Sequence, residues 1–334
     1  MVSHSRPKPA TESADGMRPV NLRTDLAPLA NLIELVFADS MDSSGRAALR
    51  EMRYLSKLGM GLPVISRMNE LAMGISLGYV WMSGGQLVGN VSVYPADWPR
   101  ELGSTWIIAN VGVHPDHQRR GIARQLMQAS MDMIRGKHGR RAILQVDVKN
   151  HPARQLYRNL GFVEERAFTT WRRVSSSFVP EAAANDVLIT RRRRGDWREE
   201  FELAREMRPA ERGGIGWLRP LHPNTFKQGV WKTFGDWLNL RSTEHLVIRD
   251  EADEIAAALW VTSAVATRTR LTLLCKAQYR GLYDDLLINT AIRRFGRNPI
   301  VIEHPNDETL TGGVLERYRF VQQRNVVHMR WDAR

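Results

Sequence analysis

The 334-residue sequence has a single cysteine, Cys275, and its nine histidines show neither HxxxH nor HExxH spacing. One cysteine rules out an intrachain disulfide framework and a cysteine-rich metal site. We therefore expect no metal, since zinc sites need closely spaced ligands. Cys275 follows the apolar run at residues 271–274, so we predict a buried core thiol rather than a nucleophile, in a cytoplasmic protein.

Long apolar runs are also missing from the sequence. No uninterrupted apolar stretch approaches the roughly 20 residues that a membrane-spanning helix needs, so we expect no membrane partner. Residues 1–17 are polar, contain two prolines and lack the apolar segment of a secretory signal. We predict that these residues form a disordered leader.

Acidic residues are in the minority. The chain has 36 acidic and 48 basic residues, which gives a net charge of +12. This charge favours anionic partners such as nucleic acid or a phosphorylated cofactor. The four consecutive arginines at 191–194 are better explained as a solvated strand end or linker, because no aromatic-and-basic RNA motif, zinc-finger spacing or basic zipper accompanies them. Nucleic acid is therefore a weakly supported partner.

The length of the chain exceeds the size at which one hydrophobic core usually stops growing, so two domains are expected. Strand and helix patterns alternate from residue 18 to about residue 173, which predicts an α/β domain with a mixed sheet. The serine- and alanine-rich stretch that follows is typical of a linker. The predicted organisation is a leader at 1–17, a first domain at 18–173, a linker at 174–185 and a second domain at 186–334.

The order of predicted elements repeats in the second half. Residues 244–248 and 255–261 match the earlier hairpin at 79–82 and 87–94, and residues 283–295 match the helix at 121–135. Gln278-Tyr279-Arg280-Gly281 echoes Gln118-Arg119-Arg120-Gly121. The repeat predicts a tandem duplication.

One segment carries the pattern of an anion site. A strand predicted at 106–113 ends before Pro115, and an amphipathic helix begins near Gly121. The first amides of a helix have no partner within the helix, and the helix dipole adds positive charge there. A pyrophosphate can bind such amides, and a glycine without a Cβ lets it approach closely. The loop alone also fits an ordinary helix start with solvated arginines.

A second segment lies about 30 residues further on. A strand at 142–148 is followed by Asn150, which is a good helix cap, and by an apolar stripe that includes Leu156 and Tyr157. Gly161 ends this helix and Phe162 opens the next strand. Tyr157 fits a core position equally well, although a buried hydroxyl needs a partner.

Together the two segments resemble the GNAT superfamily of N-acetyltransferases. The acetyl-CoA signature of that family, Gln/Arg-x-x-Gly-x-Gly/Ala, is similar to Gln118-Arg119-Arg120-Gly121-Ile122-Ala123. Its later pattern Asn-x-x-Ala-x-x-Leu-Tyr-x-x-x-Gly-Phe is similar to residues 150–162. The resemblance is strong over residues 18–173 and weak beyond. It implies two tandem acyl-CoA N-acyltransferase-like domains and the transfer of an acetyl group from acetyl-CoA to an amine.

The resemblance also implies roles for individual residues. Backbone groups of Val111, Gly112 and Val113 would hold the pantetheine arm, and the Val111 N–H would polarise the thioester carbonyl. Asn150 would contact the same arm, and Tyr157 would protonate the leaving thiolate. The loop amides that would cradle the pyrophosphate belong to Gln118, Arg119, Arg120, Gly121, Ile122 and Ala123.

Two expectations stay open. Many relatives carry a glutamate base on the strand before the loop, but residues 106–113 contain no carboxylate. His114, His117 and Asp97 are weak alternatives, so the base is unassigned. The acceptor is equally open, and a non-catalytic acyl-CoA-binding regulator or an acetyltransferase that acts on a nucleic-acid-associated protein are the alternatives.

The second half departs from the signature. Aligning the two glycines places Tyr283 where Ala123 stands, and aligning Phe320 with Phe162 places Leu315 where Tyr157 stands. Leucine cannot donate a proton. We therefore expect the second domain to be a degenerate, non-catalytic copy.

Overall fold

The computed structural model describes residues 15–38, 41, 43–58, 77–182, 186–227, 241–264 and 268–333. The described helices are α1 (Leu26–Phe37), α2 (Ser43–Leu58), α3 (Ile122–Gly136), α4 (His151–Asn159), α5 (Trp197–Met207), α6 (Pro223–Phe226), α7 (Tyr283–Phe295) and α8 (Thr309–Arg317). The described strands are β1 (Gly16–Pro19), β2 (Leu77–Ser83), β3 (Gln86–Pro95), β4 (Thr105–Val113), β5 (Arg141–Asp147), β6 (Val163–Arg173), β7 (Ile189–Arg191), β8 (Arg241–Arg249), β9 (Ile255–Ala264), β10 (Thr269–Cys275), β11 (Ile300–Pro305) and β12 (Val321–Asp332).

These elements confirm the predicted α/β class. The sheet pairing is mixed, because β4 pairs parallel with β5 and β10 pairs parallel with β11, whereas the other recorded pairs are antiparallel. Strands β2, β3 and β4 pair antiparallel, and β4 then pairs parallel with β5. The same order recurs in β8, β9 and β10, which pair antiparallel before β10 pairs parallel with β11. This recurrence is the tandem arrangement that the sequence repeat predicts.

Contacts between residues divide the chain into two compact units, Met1–Leu144 with Trp331–Arg334, and Gln145–Arg330. This division differs from the predicted boundaries at 173 and 186. The reason is strand pairing, since β6 is hydrogen-bonded to β11 on one side and to β12 on the other. The predicted linker is hydrogen-bonded to α7 of the second unit, because Arg293 donates to the Pro180 carbonyl and Asn289 donates to the Glu181 carbonyl.

The first unit contains strands β1, β2, β3 and β4 in that order, with β5 beside β4. Helices α1 and α2 pack with β2 around Leu29, Leu49 and Val80. Helix α3 lies on the opposite face. A Cβ added to Gly112 on β4 would contact α1. A Cβ added to Gly89 on the adjacent strand β3 would instead lie 2.9 Å from Ile122 at the start of α3.

The second unit has the strand order β12-β6-β11-β10-β9-β8-β7. One core cluster joins α7 and α8 to the sheet through Leu287, Ile292 and Leu315. A separate cluster joins α5 and α6 to the sheet through Leu203 and Phe226. Each helix layer thus buries an apolar stripe against one group of strand residues, as expected for α/β packing.

The structure corrects several local predictions. The sequence pattern predicts a short strand at residues 19–23, but the strand lies at Gly16–Pro19 and includes part of the predicted leader. The Asp25 carboxylate accepts the Asn21 amide and closes a turn after Pro19. The sequence pattern also predicts two strands at 162–165 and 167–172, and these form one continuous strand, β6. Residues 1–14, the rest of the predicted leader, lie outside the described residues. None of the described helices is long and apolar enough to cross a membrane.

Candidate active site

The C-terminal half of β4 is distorted by a bulge. The pairing of β4 with β3 shifts register between Asn90 and Ser92, and Asn110 has a left-handed φ of 51°. Polar side chains brace this geometry. Asn90 donates to the Asn110 carbonyl at 3.0 Å, and Asn110 donates to the Ser92 hydroxyl at 3.2 Å. A bulge re-aims the residues that follow it, so this network orients Val111.

The same half of β4 separates from β5. Their parallel pairing runs from Thr105 opposite Arg141 to Ile107 opposite Ile143, and no further pair between the two strands occurs in the described chain. Antiparallel pairing with β3 continues to Val113. Alternate amides of a strand point to opposite edges. Beyond Ile107, the edge of β4 that faces away from β3 can therefore bind an extended ligand.

The loop after β4 is held in shape by its own hydrogen bonds. Residues Pro115–His117 form one 3₁₀ turn, and the Gln118 side chain reaches back to donate to the Val113 carbonyl at 3.2 Å. Arg119 has φ 60° and Gly121 has φ 78°, both in the left-handed region. Two such residues in close succession turn the chain sharply into α3.

This turn leaves a run of backbone amides without acceptors. The hydrogen bonds of α3 begin with the Gln125 N–H, which donates to the Gly121 carbonyl at 3.1 Å. From Arg119 to Arg124, no backbone N–H has an acceptor among the residues that the structure describes. Because the helix dipole places positive charge at the same end, the loop is suited to an anion.

The surroundings of the loop also favour an anion. The side chains of Arg119, Arg120 and Arg124 are exposed. Among described residues, none of the three lies within ion-pair distance of a carboxylate, and Arg120 instead donates to the Asp116 carbonyl. A Cβ at Gly121 would have only the Gln125 side chain within 4 Å, so the space above this glycine is open.

Asn150 and Tyr157 of the second motif lie in the second unit. Asn150 is the N-cap of α4, and its side-chain oxygen accepts the Ala153 amide at 3.1 Å. This bond uses one of the two lone pairs of the oxygen, and the side-chain NH₂ group provides two donors. Asn150 therefore has a structural role as a cap, and its contact with the pantetheine arm stays a prediction.

Tyr157 is buried on α4, with its ring centroid 6.0 Å from that of Phe162. Burial raises the pKa of the Tyr157 phenol well above its ordinary value. Its hydroxyl makes no recorded hydrogen bond within the described part of the chain. The hydroxyl is therefore protonated at neutral pH and has its donor unused.

Three residues were open alternatives for the base. His114 follows β4 directly, and its Nδ1 accepts the Asp116 amide at 3.3 Å. The ring of His117 lies 5.9 Å from that of His114, edge to face. Asp97 lies in the segment between β3 and β4. These positions do not single out one of the three, and the base stays unassigned.

The structure thus brings together, in the first unit, the predicted residues Val111, Gly112 and Val113 at the end of β4 and the whole loop from Gln118 to Ala123. Sequence reasoning missed the bracing residues Asn90, Ser92 and Asn110. Their signal was present, because a buried asparagine inside an apolar strand needs hydrogen-bond partners. In the described chain there is no group of three or more histidine, cysteine or acidic residues that could hold a metal.

One protein-family model covers the part of the chain that contains this loop. The model of the acetyltransferase (GNAT) family matches residues 64–162, which contain the β4 bulge, the loop and both motifs. No curated protein matches the sequence significantly.

Among solved structures, a GCN5-related N-acetyltransferase from Sphaerobacter thermophilus is similar over 95% of both chains, with 16% identity and a TM-score of 0.59. The glucosamine N-acetyltransferase region of a fungal multi-domain β-N-acetylglucosaminidase is similar over 98% of this chain and 40% of its own, with 12% identity and a TM-score of 0.57. A tandem GNAT protein from the clavulanic acid biosynthesis pathway covers 95% of this chain and 98% of its own, with 15% identity and a TM-score of 0.48. At these identities the first two likenesses show the fold.

Proposed function

From the match of the acetyltransferase (GNAT) family model to residues 64–162, we propose that the chain transfers the acetyl group of acetyl-CoA directly to a primary amine. The observation that carries the proposal is the run of unbonded amides from Arg119 to Arg124 at the start of α3. These amides and the neighbouring arginines would bind the pyrophosphate of acetyl-CoA.

The open edge of β4 supports the next part of the proposal. Amides of Val111 and Val113 on this edge would hydrogen-bond the pantetheine arm, and the Val111 N–H would stabilise the developing oxyanion of the thioester carbonyl. The bulge fixes this amide in place before the ligand arrives, so no reorganisation is needed during the reaction.

The reaction requires three proton movements. The acceptor ammonium must lose one proton before attack, since it has no free electron pair, and this proton goes to water or to a base that we leave unassigned. The amine nitrogen then bonds to the carbonyl carbon, the carbon–sulfur bond breaks, and CoA leaves as a thiolate that takes up a proton, which we assign to the Tyr157 hydroxyl. The nitrogen loses its second proton as the amide forms, and this proton restores the Tyr157 phenol directly or through water.

The environment of Tyr157 makes this assignment testable. A thiol of ordinary pKa about 8.5 is a stronger acid than a phenol whose pKa is raised by burial. Complete proton transfer is therefore favourable only as bound reactants change the surroundings, and hydrogen-bond donation to the sulfur is the minimal contribution. Loss of this donor should lower kcat more than it changes KM.

The experiment is thiol release from acetyl-CoA with a broad panel of amines, for the wild type and Tyr157→Phe. We expect kcat to fall about 100-fold in the variant, which retains the ring but not the proton donor. Phe162→Leu is the matched control, because it alters packing against the same ring without removing a hydroxyl. Unchanged turnover in Tyr157→Phe would remove this residue from the mechanism.

A second candidate is a regulator that binds acyl-CoA without turnover. It is favoured by the absence of a carboxylate from Thr105–Val113. Acetyl-CoA binding with no thiol release across the amine panel would support it.

The alternative of an acetyltransferase directed to a nucleic-acid-associated protein depends on exposed basic residues. Arg191 pairs with Glu244 at 2.7 Å, and Arg192 is buried against Glu200 at 3.1 Å. Half of the arginine run is thus engaged within the protein, which agrees with the strand-end interpretation. Salt-dependent binding of RNA or DNA by the purified chain would support this alternative.

A further inference from the structure

The second unit repeats the strand separation of the candidate site. The parallel pairing of β10 with β11 runs from Thr269 opposite Ile300 to Leu271 opposite Ile302 and stops there. Pairing of β10 with β9 continues to Cys275. Counting back from the strand ends, Leu273 corresponds to Val111. A potential cleft therefore exists between β10 and β11, but no bulge interrupts β10.

This second cleft is bridged by a side chain of the same unit. Arg208 follows α5, and its guanidinium donates to the Leu273 carbonyl at 3.2 Å. The same guanidinium forms an ion pair with Glu308, the residue before α8. Both side chains are almost completely buried, at 2% and 1% exposure. The bridge thus runs from β10 to the segment after β11 across the separation.

Further contacts hold Glu308 in this position. Arg166 on β6 donates to Glu308 at 2.8 Å, and His304 on β11 lies 3.0 Å from it. Burial alone would raise the pKa of Glu308, but the hydrogen bond from His304 and the positive charge of Arg208 outweigh it and hold the pKa far below the ordinary value. Glu308 therefore remains charged and keeps Arg208 in the cleft.

The loop of the second unit is likewise satisfied from within. Asp284 is the second residue of α7 and is fully buried. Its carboxylate accepts the Gly281 amide at 2.5 Å and the Asp285 amide at 3.0 Å, and its other oxygen accepts the Thr311 hydroxyl at 2.7 Å. The amides of Arg280 and Leu282 donate to carbonyls of the preceding 3₁₀ turn.

The two loops also differ in length. Gln118 follows its 3₁₀ turn, whereas Gln278 lies inside the turn Ala277–Tyr279. Four residues then separate the first turn from α3, but three separate the second turn from α7. The predicted equivalence of Gln278 with Gln118 is therefore wrong. By position in the helix, Asp284 corresponds to Ala123, the small residue of the signature.

We propose that the second half of the chain has no acyl-CoA site because its own side chains occupy both parts of that site. Arg208 on the Leu273 carbonyl stands in place of the pantetheine arm, and Asp284 on the Gly281 amide stands in place of the pyrophosphate. The inference rests on the proposed function for the identity of the ligand, and it predicts one acetyl-CoA per chain.

Calorimetric titration of the full chain with acetyl-CoA tests this prediction. Ala123→Asp gives the first loop the carboxylate that the second loop carries. We therefore expect the Kd for acetyl-CoA to rise at least about 100-fold. Ala123→Asn has the same size without the charge and should lose about tenfold. Asp284→Ala should still bind one acetyl-CoA, because Arg208 remains in the cleft. Circular dichroism confirms folding, and Arg124→Asp replaces Ala123→Asp if that variant does not fold.

Two sites in the wild type would overturn the inference, as would a site of wild-type affinity that persists in Ala123→Asp. One site that disappears in that variant supports it. Absence of any binding by the wild type would refute the proposed function instead, while it would agree with a closed second half. The two failures are therefore distinguishable.

Discussion

The loops before α3 and α7 differ most in how their amides are satisfied. Both begin with a 3₁₀ turn, pass through a left-handed residue and end in a helix. In the first loop the amides from Arg119 to Arg124 have no acceptor among described residues, whereas in the second loop Asp284 accepts two amides. A helix start offers the same positive end in both cases. The Asp284 carboxylate therefore occupies the anion position of the second loop, which the first loop leaves open.

The largest expected effect is a loss of folding stability when the side chain that bridges the second cleft is replaced. Arg208→Met would leave the buried Glu308 carboxylate without one of its two buried arginine partners, and we expect the free energy of unfolding to fall by about 3–5 kcal/mol. Urea unfolding measures the change. The control is Arg120→Met in the exposed first loop, which should stay within about 0.5 kcal/mol of the wild type. A loss below about 1 kcal/mol for Arg208→Met would mean that the bridge does not hold the cleft closed.

A pair of glycine substitutions gives an intermediate effect. Gly121 and Gly281 have φ angles of 78° and 87°, so alanine is strained at either position, by about 1–2 kcal/mol. We expect Gly121→Ala and Gly281→Ala to lose similar stability in thermal unfolding. Acetyl-CoA affinity should fall about tenfold in Gly121→Ala alone. Equal losses of affinity would break the distinction between the loops.

The smallest effect concerns Cys275 at the end of β10. Burial raises the pKa of this thiol to about 12, with the nearby Asp284 carboxylate adding to the shift. A raised pKa contributes stability below the pKa of the unfolded thiol, and this contribution is lost as pH rises toward 12. Between pH 9 and 10 we expect up to about 1.4 kcal/mol of pH-dependent loss from this group.

Urea unfolding at pH 8, 9 and 10 measures this loss, and Cys275→Val is the control without a titrating group. If the free energy of unfolding shows the same pH dependence in the wild type and in this variant, the Cys275 thiol is exposed to solvent and the end of the second cleft is hydrated. Slow reaction of the native thiol with a small alkylating reagent is the accompanying expectation.

Much of the candidate site followed from local sequence. The helix α3, the glycine before it and the cap at Asn150 depend on neighbours within a few residues, so their pattern is visible in one chain. The pairing of β6 with both β11 and β12 was not predicted, because it depends on residues more than 120 positions apart. The single strand β6 was predicted as two strands, one on each side of Arg166, whose guanidinium is neutralised in the fold by Asp307 and Glu308.

The sequence by itself determined the α/β class, the tandem order and the loop from Gln118 to Ala123, since helix starts, glycine turns and apolar periodicity are local properties. Only the tertiary structure decided which loop keeps its amides unbonded and which cleft is bridged. Arg208, Leu273 and Glu308 are separated by 35 residues or more, and a charge of this kind is buried only where folding brings its partners together.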